Sequence, residues 1–259
     1  MWHDIKMLNA TTGVLLGALV LGLLGCGGWW LAQRPMFTLR VIRIEGVGGM
    51  PLWHVNAATV RNAALPRIRG NFFTADLDAV RAAFESVPWV RKASVRRAWP
   101  NRLVVSIEEH VPLGTWGDDG RLLSVKGDVF TANLAEAEED GELLQFDGPP
   151  GSEKEVAARY RDLRDWFAAI GSKPEEVKLS RRYAWTVKLD NGITVELGRE
   201  QNATMLKDRV DRLISVYPQL AARLKGKIES VDMRYQNGLA LKAQGLAFGL
   251  KGKKTSGAT

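Results

Sequence analysis

From Met7 to Gln33 the chain carries no charged residue, and beyond Gln33 its composition becomes ordinary and water-compatible. The apolar core of this stretch, Val14 to Leu31, is 18 residues long. Coiled as a helix it reaches about 27 Å, close to the thickness of the hydrocarbon layer of a bilayer. No later segment resembles it. The chain therefore reads as one membrane span carrying a much larger water-soluble body on one side.

Three readings of the segment compete. A cleaved signal peptide needs a basic leader, a short apolar run and a small-residue cleavage site. Here the leader offers Lys6, offset by Asp4, and no Ala-x-Ala follows the apolar run. Leu23-Leu24-Gly25-Cys26 has the look of a lipobox, yet such a cysteine normally ends the apolar stretch, and Gly27-Gly28-Trp29-Trp30-Leu31 carries it onward. A retained anchor accounts for the length and places Trp2, Trp29 and Trp30 where interfacial aromatics belong. Gly13 and Gly17 form a GxxxG pair, a match that a glycine-rich run produces cheaply. Orientation stays open: Lys6 and the amino terminus face Arg34, Arg40 and Arg43 across the span. That count alone disfavours export of the body, but long domains translocate largely regardless of charge.

The net charge is +7, which raises nucleic acid or anionic lipid as a partner. The basic residues are scattered, Arg61, Arg67, Arg91, Lys92, Arg181 and Arg182 among them, and form no block interleaved with stacking aromatics. Solvated faces explain most of them, and nucleic acid is not expected as a partner. The one cysteine, Cys26, lies inside the apolar run, so no intrachain disulfide can form. A cysteine-free body suits an oxidising compartment.

The main break in the body is expected around Pro112 to Gly120. Before it, the pattern is strand, helix, helix, strand, strand. Phe37 to Glu45 is β-rich, with an apolar phase slip between Val41 and Ile42 that predicts a bulge or two-sided burial. Asn56 can cap a short helix to Leu65, and Thr74 or Asp76 opens another with Leu77, Val80, Phe84 and Val87 on one face. Pro88 ends it. Val90 to Arg97 is a strand, Trp99-Pro100-Asn101 turns, and Leu103, Val105 and Ile107 alternate inward against Val104, Ser106 and Glu108.

After the break come short strands near Leu113 to Trp116 and Leu122 to Phe130. An amphipathic helix follows with Val156, Tyr160, Leu163, Phe167 and Ile170 on its inner face. Two β runs, Trp185 to Leu189 and Ile193 to Leu197, keep a single buried face with a three-residue loop, Asp190 to Gly192. That loop opposes Trp185 to Leu197, Val187 to Val195 and Leu189 to Ile193, with Gly192 left-handed. A helix with Leu206, Val210, Leu213 and Tyr217 is expected to stop at Pro218. A last hairpin, with Gln236 to Gly238 as its loop, places Tyr235 against Leu239 and Met233 against Leu241. The strand near Gly238 to Gln244 then forms a sheet edge.

No catalytic constellation emerges. His3, His54 and His110 lack metal-ligand spacing, and there is no phosphate-binding loop, serine elbow or Cys–His pair. Glu108 and Glu109 are adjacent on a strand and point to opposite faces, so they cannot share a substrate. The acidic run Glu136, Glu138, Glu139, Asp140 is expected to be a solvated loop. The residues describe a binding protein rather than an enzyme, with no cofactor.

At this point the chain resembles the bacterial division family FtsQ/DivIB. The resemblance rests on Phe37 to Gly46, Pro88-Trp89-Val90, Val95-Arg96-Arg97-x-Trp99-Pro100-Asn101-Arg102-Leu103 and Glu109-His110-x-Pro112 with Trp116. It continues through Trp185-x-Val187-x-Leu189-x-Asn191-Gly192, Leu197-Gly198-Arg199 and Val231-Asp232-x-Arg234-Tyr235-x-Asn237-Gly238. It implies an α+β chain: a cytoplasmic tail (1–10), a transmembrane helix (11–33), a POTRA domain (36–110), a larger β-rich domain with a mixed or antiparallel sheet and packed helices (111–246), and a disordered basic tail (247–259). It also implies a non-enzymatic inner-membrane scaffold at the septum, amino terminus in the cytoplasm and body in the periplasm. Such a scaffold links early and late divisome proteins and docks other membrane division proteins through the POTRA unit. In the family, the carboxy-terminal sheet receives a segment of the FtsB/FtsL pair by strand addition. Carried over by motif, Arg182, Tyr235, Asn237, Gly238, Leu239 and Leu241 would lie at that site. Two other readings are a POTRA-bearing outer-membrane assembly or export factor, which should repeat the unit or continue into a barrel, and a membrane-anchored cell-wall hydrolase, which needs catalytic residues.

Overall fold

A computed structural model describes residues 5–224, 228–235 and 238–243. Residues 1–4 and the expected basic tail, 247–259, lie outside the described residues. Helix α1, Ile5–Ala32, starts ahead of the expected span, and among the described residues it is the one helix long and apolar enough to cross a membrane. The chain divides into two compact units between His110 and Val111.

The first unit contains β1 (Val41–Gly46), α2 (Ala57–Ala63), α3 (Leu77–Glu85), β2 (Val90–Ala98) and β3 (Arg102–Glu109). The sheet order is β1-β3-β2, with β1 parallel and β2 antiparallel to the central β3. Asn56 caps α2 by accepting the Thr59 N–H at 2.9 Å. Asp76, not Thr74, caps α3, accepting the Asp78 and Ala79 N–H groups at 2.9 and 3.1 Å. Thr74 is instead drawn into a turn by the Asn71 side chain. Helix α3 packs on β2 and buries Val80, Ala83 and Phe84.

Three local expectations change. Pro35–Phe37 is a 3-10 turn with Phe37 buried, so the strand begins only at Val41. No bulge breaks β1, whose register runs unbroken from Val41↔Arg102 to Gly46↔Ile107. The phase slip resolves because Val41 points out, at 46% exposure, while Ile42 and Ile44 lie beside Leu103 and Val105. Val104 is buried as well, at 6% exposure. It sits on the central strand between Arg43 and Arg96, and Glu45 draws both arginines over it at 3.7 and 3.6 Å.

Trp89, just after the helix-ending Pro88, holds a left-handed φ of 73° and is 3% exposed. Its ring stacks on His54 at 3.8 Å with the planes 14° apart. Glu109 fixes the other side of that stack by accepting the N–H groups of Trp53, His54 and Val55 at 2.8, 3.0 and 2.6 Å. Glu108 turns away to Arg91 at 3.2 Å, so the two carboxylates serve separate partners as strand alternation requires.

The second unit contains β4 (Pro112–Trp116), β5 (Arg121–Ser124), β6 (Val129–Phe130), α4 (Leu134–Glu139), β7 (Leu144–Asp147), α5 (Glu153–Phe167), β8 (Pro174–Leu179), β9 (Ala184–Leu189), β10 (Thr194–Arg199), α6 (Met205–Leu224), β11 (Ile228–Asp232) and β12 (Ala240–Ala243). Its sheet runs β12-β11-β10-β9-β8-β7-β4-β5-β6. Among the described residues three pairs of this sheet are parallel: β7/β8 and β10/β11 are bridged by α5 and α6, and β4/β7 by the segment through β5, β6 and α4, because parallel strands need a crossover that a tight turn cannot supply. Both helices pack on the sheet, burying Val156, Leu163, Phe167, Leu206, Val210 and Leu213 against Phe146, Trp185, Val187 and Val195.

The expected run Leu122 to Phe130 is two strands, broken where the Ser124 hydroxyl accepts the N–H groups of Lys126 and Asp128. The acidic run is partly helical, α4, capped by Asn133. Pro218 does not end its helix: α6 continues to Leu224 because Pro218 faces solvent while Leu220 and Leu224 pack on the core beyond it. In the β9–β10 hairpin the three-residue loop and the left-handed Gly192 (φ 82°) are present, and Val187 opposes Val195. Trp185, however, faces Gly198 instead of Leu197, since a bulge falls between Glu196 and Gly198.

Truncating Trp89 removes a buried ring of the first unit, the one stacked on His54. Trp89→Ala should destabilise that unit by about 3–5 kcal/mol, read as a lowered midpoint in chemical denaturation, with the second unit's transition unchanged.

Candidate functional site

Helix α6 returns the chain to the sheet beside β10, with Thr194↔Ser230, Val195↔Val231 and Glu196↔Asp232 in parallel register. β12 then turns back antiparallel to β11 and is the last strand of the sheet, so among the described residues its outer edge is unpaired. The register is not the expected one. Leu241 opposes Val231 and Ala240 opposes Asp232. The cause lies where β11 ends: the Met233 N–H donates to the Glu196 carbonyl at 2.9 Å, holding that residue to β10. The Asp232 carboxylate accepts the Arg234 N–H at 3.0 Å and its guanidinium at 2.9 and 2.5 Å, turning the chain out of the ladder.

Gly198 makes room for this clasp. Its φ is 75°, and a Cβ there would lie 2.8 Å from Arg234 Cγ. Arg234 can therefore cross the end of β10 and also reach Glu196 at 2.9 Å. Arg182 lies exposed in the turn between β8 and β9, which the Tyr183 N–H closes onto the Ser180 carbonyl at 2.8 Å. With Arg199, Arg209 and Arg234 it lines a cavity of about 300 Å³. Arg209 donates to the carbonyls of Leu197 and Arg199 at 2.6 and 2.9 Å. Burial and the neighbouring Arg212 hold its guanidinium below its ordinary range. Asp232 beside Arg234 raises the Arg234 guanidinium above its own.

Arg212, on α6, donates to the Tyr235 carbonyl at 2.9 Å and to the Gly238 carbonyl at 3.5 Å, clasping both ends of the loop before β12. The Tyr235 side chain is 58% exposed. Leu239 and Leu241 are half-buried against the core, while Ala240 and Lys242 of β12 are exposed. Asn237 and its neighbour Gln236 lie outside the described residues.

The fold thus brings Arg182 to the same cavity as Arg234, the residue before Tyr235. Leu239 and Leu241 belong to the loop and strand beyond β11. The sequence reading passed over Arg199, Arg209, Arg212, Asp232 and Arg234 as participants. The spacing Asp232-x-Arg234 was a usable signal, since residues two apart in an extended chain share a face. Nothing local pointed to Arg209 or Arg212, whose partners lie 10 to 26 residues away. The arrangement assembles arginine donors around a cavity, an exposed phenol and, among the described residues, a strand edge with unpaired backbone groups, groups that can make hydrogen bonds and ion pairs to another chain.

The clasp carries a pH signature. Hydrogen bonds and charge from Arg234 hold the Asp232 carboxyl below its ordinary value of 3.8. A carboxyl depressed in the folded chain stabilises at every pH above its unfolded value and loses that contribution as pH falls through the folded one. The Arg234 and Tyr235 amide resonances should stay unchanged from neutral pH down to that ordinary value and shift only below it. Asp232→Asn should shift them already at neutral pH, read by amide NMR.

Residues 39–110 match the family model described as POTRA domain, FtsQ-type, and residues 114–234 match Cell division protein FtsQ/DivIB, C-terminal. Cell division protein FtsQ of Burkholderia pseudomallei is 54% identical over 248 residues, covering 96% of each chain. Cell division protein FtsQ of Bordetella pertussis is 40% identical over 253 residues, covering 93% of this chain and 92% of its own. That of Nitrosospira multiformis is 35% identical over 241 residues, covering 93% and 98%. A strand-helix-helix-strand-strand unit followed by a mixed sheet, matched along nearly its whole length by these relatives, places the chain in the FtsQ/DivIB family of cell division proteins.

Proposed function

We propose that this chain is a non-enzymatic scaffold of the division machinery that receives the FtsB/FtsL pair on the outer edge of β12. Residues 1–10 would lie in the cytoplasm and 11–33 in the inner membrane. The units 36–110 and 111–246 would lie in the periplasm, enriched at the septum, with the POTRA unit docking other membrane division proteins. Family membership supports the role in division. The edge of β12, unpaired among the described residues, is the observation that carries the docking mode, because a partner strand can extend the sheet there by main-chain hydrogen bonds.

Backbone pairing reads little sequence, so specificity has to come from side chains beside the edge. Tyr235 offers apolar area with a polar tip, and Arg182 can hold an acidic partner residue bidentately. Gly238, Leu239 and Leu241 position the strand, and Asn237 belongs to the same motif. An export factor would repeat the POTRA unit or continue into a closed barrel, and a hydrolase would need converging catalytic groups; neither pattern supports those readings here.

Truncating an interface anchor costs about 2 kcal/mol, or roughly thirtyfold in affinity. Tyr235→Ala and Ala240→Pro should each weaken binding of purified FtsB/FtsL by at least that factor, while thermal unfolding shows the POTRA unit intact. Arg182→Glu should weaken it through charge reversal, and the loss should shrink at high salt. Wild-type binding by all three variants would remove the edge as the docking site and make the POTRA face the next candidate. Topology has its own readout: a reporter active only in the periplasm, fused after Thr259, should be active.

A further inference from the structure

Three segments converge where the apolar helix ends. Asn71 Nδ2 donates to the Ala32 carbonyl at 3.0 Å, taking one of the acceptors that a helix leaves unpaired at its last turn. The Phe72 N–H donates to the Phe37 carbonyl at 2.9 Å, and the Arg40 N–H to the Asn101 carbonyl at 3.2 Å. The loop 70–74 and the turn 99–101 are thereby tied to the end of α1 and to the chain that leaves it. Buried Phe37 lies under the rings of Phe73 and Trp99 at 4.9 and 5.4 Å. Those two rings turn their outer faces to solvent, 47% and 66% exposed, and Met36 beside them is 55% exposed. A cavity of about 410 Å³, lined by Trp29, Gln33, Asn71 and Thr74, opens between the helix end and the loop.

The charge of this end has one sign. Segments 33–44, 64–75 and 96–104 contain eight arginines and no aspartate or glutamate. Four of the eight are engaged within the fold: Arg97 on the carbonyls of Phe72 and Ala75, Arg67 on Ser86, and Arg43 and Arg96 on Glu45. Arg34, Arg40, Arg69 and Arg102 remain exposed, with Arg34 lying 3.5 Å over the Trp30 ring. Exposed aromatic area rimmed by arginine, continuous with a membrane-length helix, is the composition that the headgroup layer selects.

We propose that this end of the first unit is a lipid-docking face. Met36, Phe73 and Trp99 rest in the interfacial layer. Arg34, Arg40, Arg69 and Arg102 hold the phosphate oxygens of anionic phospholipids, which fixes how the unit stands on the bilayer. The occupant is the membrane surface because the face begins at the helix that enters the membrane and its four exposed arginines, Arg34, Arg40, Arg69 and Arg102, surround exposed aromatic area, while Glu45 is taken up by Arg43 and Arg96. The inference rests on α1 spanning the bilayer.

The test uses the full chain with Cys26→Ser, which removes its one cysteine, and a spin label on Phe73→Cys. The label is read by oxygen and nickel accessibility in nanodiscs of phosphatidylcholine alone or of equal phosphatidylcholine and phosphatidylglycerol. Labels on Leu21→Cys and Glu139→Cys report the span and the second unit. The oxygen-to-nickel ratio at position 73 should rise severalfold over that at 139 when phosphatidylglycerol is present. It should fall back to the value at 139 when the four exposed arginines are replaced by glutamine. A label at 73 as water-exposed as the one at 139 in both discs, with 21 immersed, overturns the face and leaves it to another protein or a second copy. Immersion at 73 that ignores both phosphatidylglycerol and the glutamine variants overturns the anionic assignment. Water access at 21 overturns the span, and the docking face with it, so the two failures are told apart.

Discussion

The carboxy-terminal edge exists because one stripe of helix α6 must be covered. Leu206, Val210 and Leu213 are buried to 1% exposure or less, and they find cover on the sheet. Burying them obliges the chain to return parallel to β10, since a helix laid across a sheet brings the next strand in beside the last one. β11 is thereby committed to pair with β10 on one side, and β12 can only close back on β11. The edge that β12 forms among the described residues follows from a hydrophobic demand made earlier in the chain, at Leu206 to Leu213.

Around that edge the polar groups act at long range. Arg212 reaches from α6 to both ends of the loop before β12, and Arg209 reaches to the two carbonyls at the Gly198 bulge. The bulge admits Arg234, and Arg234 with Asp232 decides where the ladder stops. Arginine suits this work because its planar fork can serve two acceptors at once and keeps its charge when partly buried. Arg209 therefore both holds the carbonyls beside the Gly198 bulge and lines the cavity, whereas the loop before β12 is held by Arg212, which does not line it.

The first unit uses the same economy in a different form. Glu109 satisfies three backbone N–H groups and thereby holds His54 against Trp89, while Glu45 draws two arginines over Val104. A small three-stranded sheet has too little area to hold long loops by apolar burial alone, and charged side chains aimed at backbone groups supply the remainder.

The apolar first helix, the cap at Asn56, the inner faces of α3, α5 and α6, and the β9–β10 loop with its left-handed Gly192 were all legible from the chain, while the α3 cap was narrowed only to Thr74 or Asp76. Each is a local property: a period, a cap or a turn preference acts within a few residues. The parallel pairing of β10 with β11, the continuation of α6 through Pro218 and the displaced register of β12 were not. Pro218 is a stop signal in isolation, and only Leu220 and Leu224 packing on a distant sheet outweigh it. The pairing of Tyr235 with Leu239 satisfied the hairpin pattern, yet the Met233 N–H took a partner on β10 and Asp232 took Arg234, and those bonds moved the register. The sequence by itself determined where most helices and strands lie and that the first helix is apolar, because short-range sterics and periodicity decide that. Only the tertiary structure decided which strands are neighbours, where the ladder ends and which arginines share a cavity, because those outcomes depend on partners far apart in the chain.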